Sequence, residues 1–274
     1  MEQIVLKIEN ISQIENVQPL FYTEAGSRLL GIDNLQSDYD VRGVHLLSKD
    51  NYFSFLAQKE QIELMESDFL VLDKSTKDEK QGETSAKISN GLDFVSYEWD
   101  KFMQMLAKSN PNAWEFWRSE KFYFNKLDNF TFWQQETARW IDFNNLFFHY
   151  LSIARTHGKL LAKKPSPKVL FYGLRGLLCA CLSAQKVIPP LKASELLACF
   201  NEKETLIAHS RLALEKRQNE PNFLFEEKMQ TFFTEFIHKE AEKLLSLRPE
   251  WESKAKELKI CLLGLNAEVK NRYY

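Results

Sequence analysis

Along the first stretch of the chain, apolar side chains fall at Ile4, Val5, Ile8 and Ile11. That three-and-four spacing puts one apolar stripe on a helix. The pattern then shortens. "QPLFYTEAG" starts at a proline after one polar residue, is dense in aromatic and apolar residues, and predicts a buried strand ending at Gly26. "SRLLGI" predicts a short helix and "DNLQS" a turn, while "DYDVRGVHLL" predicts a second strand with Tyr39, Val41 and Leu47 among its β-formers. Residues 74–90 are polar, charged and poor in large apolar side chains, so a mobile loop is expected there. "GLDFVSYEW" predicts a third strand, and "DKFMQMLAK" a helix with Phe102, Met105 and Leu106 on one face. In "SNPNAWEFW", Asn110 can cap, Pro111 suits the first helical turn, and Trp114 and Trp117 lie one turn apart.

From about residue 131 the strand signals fade. "NNLFFHYLSIARTHGKLLAKK", "KVLFYGLRGLLCACLSAQK", "KASELLACF" and "NFLFEEKMQTFFTEFIHKEAEKLL" all carry helical spacing, the last with Phe225, Met229, Phe232, Phe233 and Phe236 as its expected stripe. Pro165, Pro167, Pro189 and Pro190 mark breaks between these helices. The expectation is an α/β (α+β) chain, with a small mixed sheet in a domain of residues 1–130 and a helical domain of residues 131–274.

Composition narrows the chemistry. The 274 residues are 44% apolar and 13% aromatic, which marks a globular chain. With 36 basic and 38 acidic residues the formal charge is −2, so no global field holds polyanions, and any nucleic-acid contact falls to a local basic face. Cys179, Cys181, Cys199 and Cys261 have apolar neighbours and no CxxC spacing, which suits free thiols in a reducing compartment rather than structural zinc. The N-terminal residues carry charges throughout, unlike a signal peptide, and no run approaches the ~18 apolar residues of a spanning helix. A cytoplasmic protein with no membrane partner is expected.

Candidate chemistry gathers around "DYDV". On a strand, side chains two apart share a face, so Asp38 and Asp40 project together. Carboxylates this close repel unless they share a cation, and Mg²⁺ or Mn²⁺ suits oxygen ligands that handle phosphates. Two such ions can hold the attacking and leaving oxygens of a nucleotidyl transfer. The bland alternative is a solvated strand end beside a turn. Upstream, Gly26 allows close backbone approach, Ser27 offers a hydroxyl, and free N–H groups at the start of a helix from Arg28 suit phosphate. Asp93, heading the third predicted strand, is the candidate third metal ligand and acceptor of the attacking hydroxyl's proton; a strand-opening Asp equally caps turns.

Several basic residues have two readings. Arg42 shares the face of the carboxylates and can pair with them or with phosphate, and Arg28 can meet substrate or solvent. "RTHGKLLAKKPSPK" concentrates Arg155, His157, Lys159, Lys163, Lys164 and Lys168 as a phosphate clamp or a solvated helix end. Within it, Arg155 and Lys159 share one helical face and are the preferred triphosphate contacts. Arg175, set in an apolar run, requires a partner, either a helix end or the nucleotide. His45 is expected to pack in the core.

Ala25-Gly26-Ser27, a ten-residue spacer and Asp38-Tyr39-Asp40-Val41 resemble the signature of the polymerase-β nucleotidyltransferase superfamily. "GSRLLGIDNLQSDYDVRGVHL", "LDFVSYEWDKFMQMLAKSNPNAWEFW" and "FFHYLSIARTHGKLL" are similar to its RlaP-type branch, which is linked with RNA repair; beyond about residue 180 the likeness is loose. The resemblance implies a nucleotidyltransferase core followed by a helical domain. It makes Asp38, Asp40 and Asp93 the ligands of two Mg²⁺ (or Mn²⁺) ions and puts Gly26 and Ser27 on the triphosphate of an NTP. The implied reaction moves an NMP from that NTP to a hydroxyl, with an RNA 3′ end as the first candidate acceptor. A protein hydroxyl, as in AMP-transferring toxins or antitoxins, and a catalytically silent nucleotide- or RNA-binding module are the alternatives. One departure is Leu29-Leu30-Gly31, where the branch often has an aromatic residue and Gly after the Arg; altered packing is expected there.

Overall fold

The computed structural model describes residues 2–54, 59–65, 67, 91–220, 222–247 and 252–274. The loop expected at residues 74–90 lies outside them. Helix α1 (Glu2–Ile14) forms as its spacing predicts, and Ile4, Ile8 and Ile11 are buried. Strand β1 (Val17–Glu24) stops two residues short of Gly26, where the short helix α2 (Gly26–Leu30) begins. Gly31 ends that helix in the left-handed conformation, φ 66°, which L side chains rarely adopt. Strand β2 (Tyr39–Leu47) leads into α3 (Lys49–Tyr52), capped by the Ser48 hydroxyl.

Two strands lay below the pattern's reach. Strand β3 (Gln61–Met65) is a half-exposed edge strand, and the expected third strand is therefore fourth in order, β4 (Leu92–Glu98). Helices α4 (Trp99–Ala107) and α5 (Pro111–Trp117) follow, capped by Glu98 and Asn110. Strand β5 (Phe122–Asn125), only four residues long, completes a mixed sheet in the order β3-β4-β2-β1-β5. Its antiparallel pairs are β1–β2, β1–β5 and β3–β4; β2 and β4 run parallel.

The sheet separates two apolar clusters. Ile4, Ile8 and Ile11 of α1 meet Tyr22, Val41 and Phe94 on one face. Phe21, Val44 and Leu46 face the other way, onto α4, α5 and the helices beyond. These are α6 (Phe130–Arg139), α7 (Phe143–Leu161), α8 (Pro167–Ala184), α9 (Ala193–Ala198), α10 (Thr205–Asn219), α11 (Glu227–Ser246) and α12 (Ala255–Tyr273). One buried cluster runs from Leu20 to Val269 and so crosses position 130 without a break.

Helices α7 and α8 cross closely because Gly176 has no side chain: a Cβ there would stand 2.8 Å from the backbone nitrogen of Ala154. Helix α8 is also long and apolar enough to cross a membrane, although the sequence pattern suggested no such run; most of it is packed inside the protein. Helix α11 corrects the expected aromatic stripe. Phe225 precedes the helix, Met229 and Phe232 are exposed, and the buried line is Phe233, Ile237 and Ala241, spaced four apart.

Helix α12 returns to the sheet end of the molecule. Trp99 Nε1 donates to Asn266 Oδ1 at 2.7 Å, Lys270 pairs with Asp100 at 2.8 Å, and the Tyr274 hydroxyl donates to the Leu47 carbonyl. Tyr52 and Tyr274 stack with ring centroids 4.3 Å apart.

A buried polar chain crosses the sheet. The Tyr22 hydroxyl and Ser96 Oγ are 2.8 Å apart, and Ser96 Oγ is 2.7 Å from His45 Nδ1. Burial pushes the His45 pKa down from 6.5 to about 4, and Nε2 has no partner among the described residues. Between those two values the unfolded chain binds more protons than the folded one, so stability is full above pH 6.5 and falls as pH drops toward 4. Urea midpoints of the wild type should decline across that window, and His45→Gln should flatten the slope; parallel pH profiles would remove His45 as the cause. At the α7–α8 crossing, Gly176→Val should destabilise by about 1–3 kcal/mol or more through overpacking, read from the same titrations.

Candidate active site

Parallel pairing sets Asp40 of β2 directly beside Asp93 of β4. Alternation along the strands then puts Asp40, Arg42, Asp93 and Val95 on the face turned toward α5 and α8. Arg42 lies between the two acids: Nη2 is 3.0 Å from Asp93 Oδ2 and 3.5 Å from Asp40 Oδ1. Its Nη1 donates to the backbone carbonyls of Asp93 and Val41, at 2.8 and 3.0 Å. The pairing available to Arg42 is thus made with the carboxylates themselves.

The turn above the strand is fitted to Asp40. The Ala25 N–H donates to the Asp40 carbonyl at 2.8 Å. Gly26 has φ 56°, and any Cβ there would run into the Asp40 carboxylate, so both conformation and space require glycine. Ser27 Oγ is buried without a hydrogen-bond partner among the described residues. Burial raises the Asp40 pKa; Arg42 opposes the rise, and the charges of Asp38 and Asp93 add to it.

Asp38 stands one residue outside β2 and half-exposed, close enough to act electrostatically on Asp40. Among the described residues, no three Asp, Glu, His or Cys side chains are grouped so as to hold a metal ion. Asp40 and Asp93 therefore form an adjacent pair, with Asp38 at its margin.

Arg28, for which the sequence leaves both substrate phosphate and solvent open, has backbone partners instead. Nε and Nη2 donate to the carbonyls of Asp38 and Ser37 at 3.1 and 2.8 Å, and the guanidinium stacks over Tyr39 at 4.1 Å. It clamps the loop that delivers Asp38. Arg155 and Lys159 do share one helical face, but that face is turned to α11. They line a separate crevice with His238 and Glu242, where Arg155 Nη2 is 2.7 Å from Glu242 Oε1. Of the basic run, it is Lys168 that lines the Asp40–Asp93 cleft and acts on Asp40.

That cleft has a volume of about 680 Å³. Helix α2 forms one wall, β2, β4 and edge strand β3 the floor, and Asn112, Glu115, Lys168 and Tyr172 the opposite wall. Sequence reasoning missed Glu115 and Tyr172. Tyr172, one turn after Lys168 on α8, was detectable from that spacing; Glu115 sits between tryptophans in a segment that reads as core. Asn110 caps α5, accepting from the Asn112 N–H at 3.0 Å. Arg175 has its required partner in Glu115, whose Oε1 is 2.9 Å from Nη1.

The family model described as RNA repair pathway DNA polymerase beta family, RlaP, matches residues 1–260. Two relatives are the uncharacterized protein YcgL of Bacillus subtilis, 24% identical over 260 residues (94% of this chain and 91% of that one), and the uncharacterized protein MJ0002 of Methanocaldococcus jannaschii, 28% identical over 194 residues (67% and 68%). Among solved structures, a nucleotidyltransferase-like protein from Exiguobacterium sibiricum aligns over 99% of this chain and 92% of its own, with 12% identity and a TM-score of 0.31. The match of the family model over nearly the whole sequence places the chain in a family, and this protein belongs to RlaP, the RNA repair pathway DNA polymerase beta family.

Proposed function

We propose that the protein is a metal-dependent nucleotidyltransferase that moves an NMP from an NTP to the 3′ hydroxyl of an RNA. The observation that carries this reading is the Asp40–Asp93 pair beneath the Gly26 turn, in a cleft large enough for a nucleotide. The RNA acceptor rests on the family's description alone.

The donor set suits a divalent cation in kind, because every candidate ligand is a carboxylate oxygen and Mg²⁺ and Mn²⁺ favour oxygen. Asp40 and Asp93 would hold it, with Asp38 at the margin of the pair. When bound, such an ion supplies charge neutralisation at the phosphates and acidifies the attacking hydroxyl. The backbone at Gly26, which lines the cleft, would meet the triphosphate, with the Ser27 hydroxyl buried behind it, and Lys168 takes the phosphate role first expected of Arg155 and Lys159. Asp93 accepts the proton of the acceptor hydroxyl as its oxygen bonds to the α-phosphorus; the bond to the β-phosphate oxygen breaks and pyrophosphate leaves. Arg42, which borders the same cleft, would meet phosphate charge with the part of its guanidinium that a cation between the acids would displace. A second reading, a module that binds nucleotide without turning it over, draws on Arg42, which already neutralises the pair.

Labelled α-phosphate NTPs, Mg²⁺ or Mn²⁺ and RNA pools test the reading. Asp40→Asn and Asp93→Asn should each lower label transfer on the order of 10²-fold or more. Transfer that persists in the double variant would sink the site, and nucleotide binding without transfer to RNA or protein would favour the module. Lys168→Ala should raise the NTP concentration at half-maximal rate about tenfold, whereas Arg155→Ala with Lys159→Ala should leave it unchanged.

A further inference from the structure

Arg175 is 3% exposed, and Nε and Nη2 have no hydrogen-bond partner among the described residues. Its ion-pair partner is Glu115 Oε1, which also accepts the Tyr150 hydroxyl at 3.1 Å. A buried ion pair of this kind adds little net stability, since well-packed apolar residues in the same space are often as favourable or more so, and its place in the fold calls for another reason. What it serves is visible at the other end of the pair. Glu115 keeps 18% of its side chain exposed and lies on the wall of the cleft, facing the same space as Asp40 and Asp93. One of its oxygens is held from behind by two donors, so the carboxyl group is fixed in place.

A carboxylate accepts hydrogen bonds and cannot donate them. Against a triphosphate it would be repulsive; against the nucleoside part it is useful, because sugars and bases carry neutral donors. Its neighbours suit that end of the ligand. Asn112 lies one turn earlier on α5, and Tyr172 presents an aromatic ring to the cleft, backed on its far face by His157 at 5.4 Å.

We propose that Glu115 is a specificity-determining residue, accepting a hydrogen bond from an O–H of the sugar or an N–H of the base while Arg175 and Tyr150 hold its carboxylate in position. The inference rests on the nucleotide-binding reading above and adds which part of the nucleotide meets which wall.

Equilibrium binding to the full chain with Mg²⁺ present tests it through analogue pairs. ATP against 2′-deoxy-ATP and 3′-deoxy-ATP reports on the sugar; CTP against UTP, GTP against ITP, and ATP against purine riboside triphosphate report on base amino groups. The wild type should prefer the donor-bearing member of at least one pair by about 10- to 100-fold, the scale of a hydrogen bond to a charged group. Glu115→Gln, whose oxygen stays with Arg175 and Tyr150, turns an NH₂ toward the ligand and should collapse that ratio toward one. Because this variant leaves Arg175 without a counter-ion, Glu115→Gln with Arg175→Met is measured beside it. The double variant should regain the unfolding midpoint but not the preference. Equal binding within every pair, a ratio unchanged in Glu115→Gln, or a preference restored in the double variant would overturn the assignment and leave Glu115 as a counter-ion only. Failure of the wild type to bind any nucleotide would overturn this proposal and the proposed function together, whereas binding without discrimination would remove only the role of Glu115.

Discussion

Mutual repulsion between two carboxylates set abreast by the parallel pairing of β2 and β4 is the constraint around which this cleft is built. Asp40 and Asp93 cannot move apart without breaking the ladder that joins their strands. Arg42 answers the repulsion from within the same strand, tethered by two backbone carbonyls so that its charge stays between the acids. The turn above must then pass very close to Asp40, and only a residue without a side chain allows it. A counter-ion in the strand and a glycine above it are therefore both answers to the register that sets the two acids abreast.

The facing wall comes from α5 and α8, and it too depends on close approach. Lys168 and Tyr172 reach the cleft from the first turns of α8, whose position is set where Gly176 packs on the backbone of Ala154 in α7. Glu115 reaches it from α5, held by Arg175 of α8 and Tyr150 of α7. A single buried cluster underlies both walls, so the wall opposite the sheet is positioned by the same packing that stabilises the chain.

How much of this could be read from the sequence depended on range. Gly26, Asp40 and the strand carrying Asp93 were legible because turn chemistry and strand alternation are local properties. That β4 would pair with β2 in parallel, and so bring Asp93 to Asp40, is a matter of topology that alternation does not determine. Helical spacing correctly grouped Arg155 with Lys159, but periodicity defines a face without naming what the face meets; α11 covers it, and it is Lys168, nine residues beyond Lys159, that lines the cleft. The aromatic count misled in α11, because Met229 and Phe232 look like core residues while Ile237 and Ala241 take the buried positions. Strands β3 and β5 are too short to show a period. The need of Arg175 for a partner was plain from its apolar setting; Glu115, sixty residues earlier, was not identifiable without the fold.

The return of α12 bears on how the molecule acquires its structure. The end of β2, the strand that carries Asp40, is bonded at Leu47 to Tyr274, 227 residues away along the chain, and Trp99 meets Asn266 across 167. Contacts of such sequence separation form late and slowly, because a long loop must close before they contribute. During synthesis, the sheet emerges long before the helix that fastens its end, so the N-terminal half spends the interval with the surface destined for α12 uncovered, the kind of exposed apolar surface that invites misassembly.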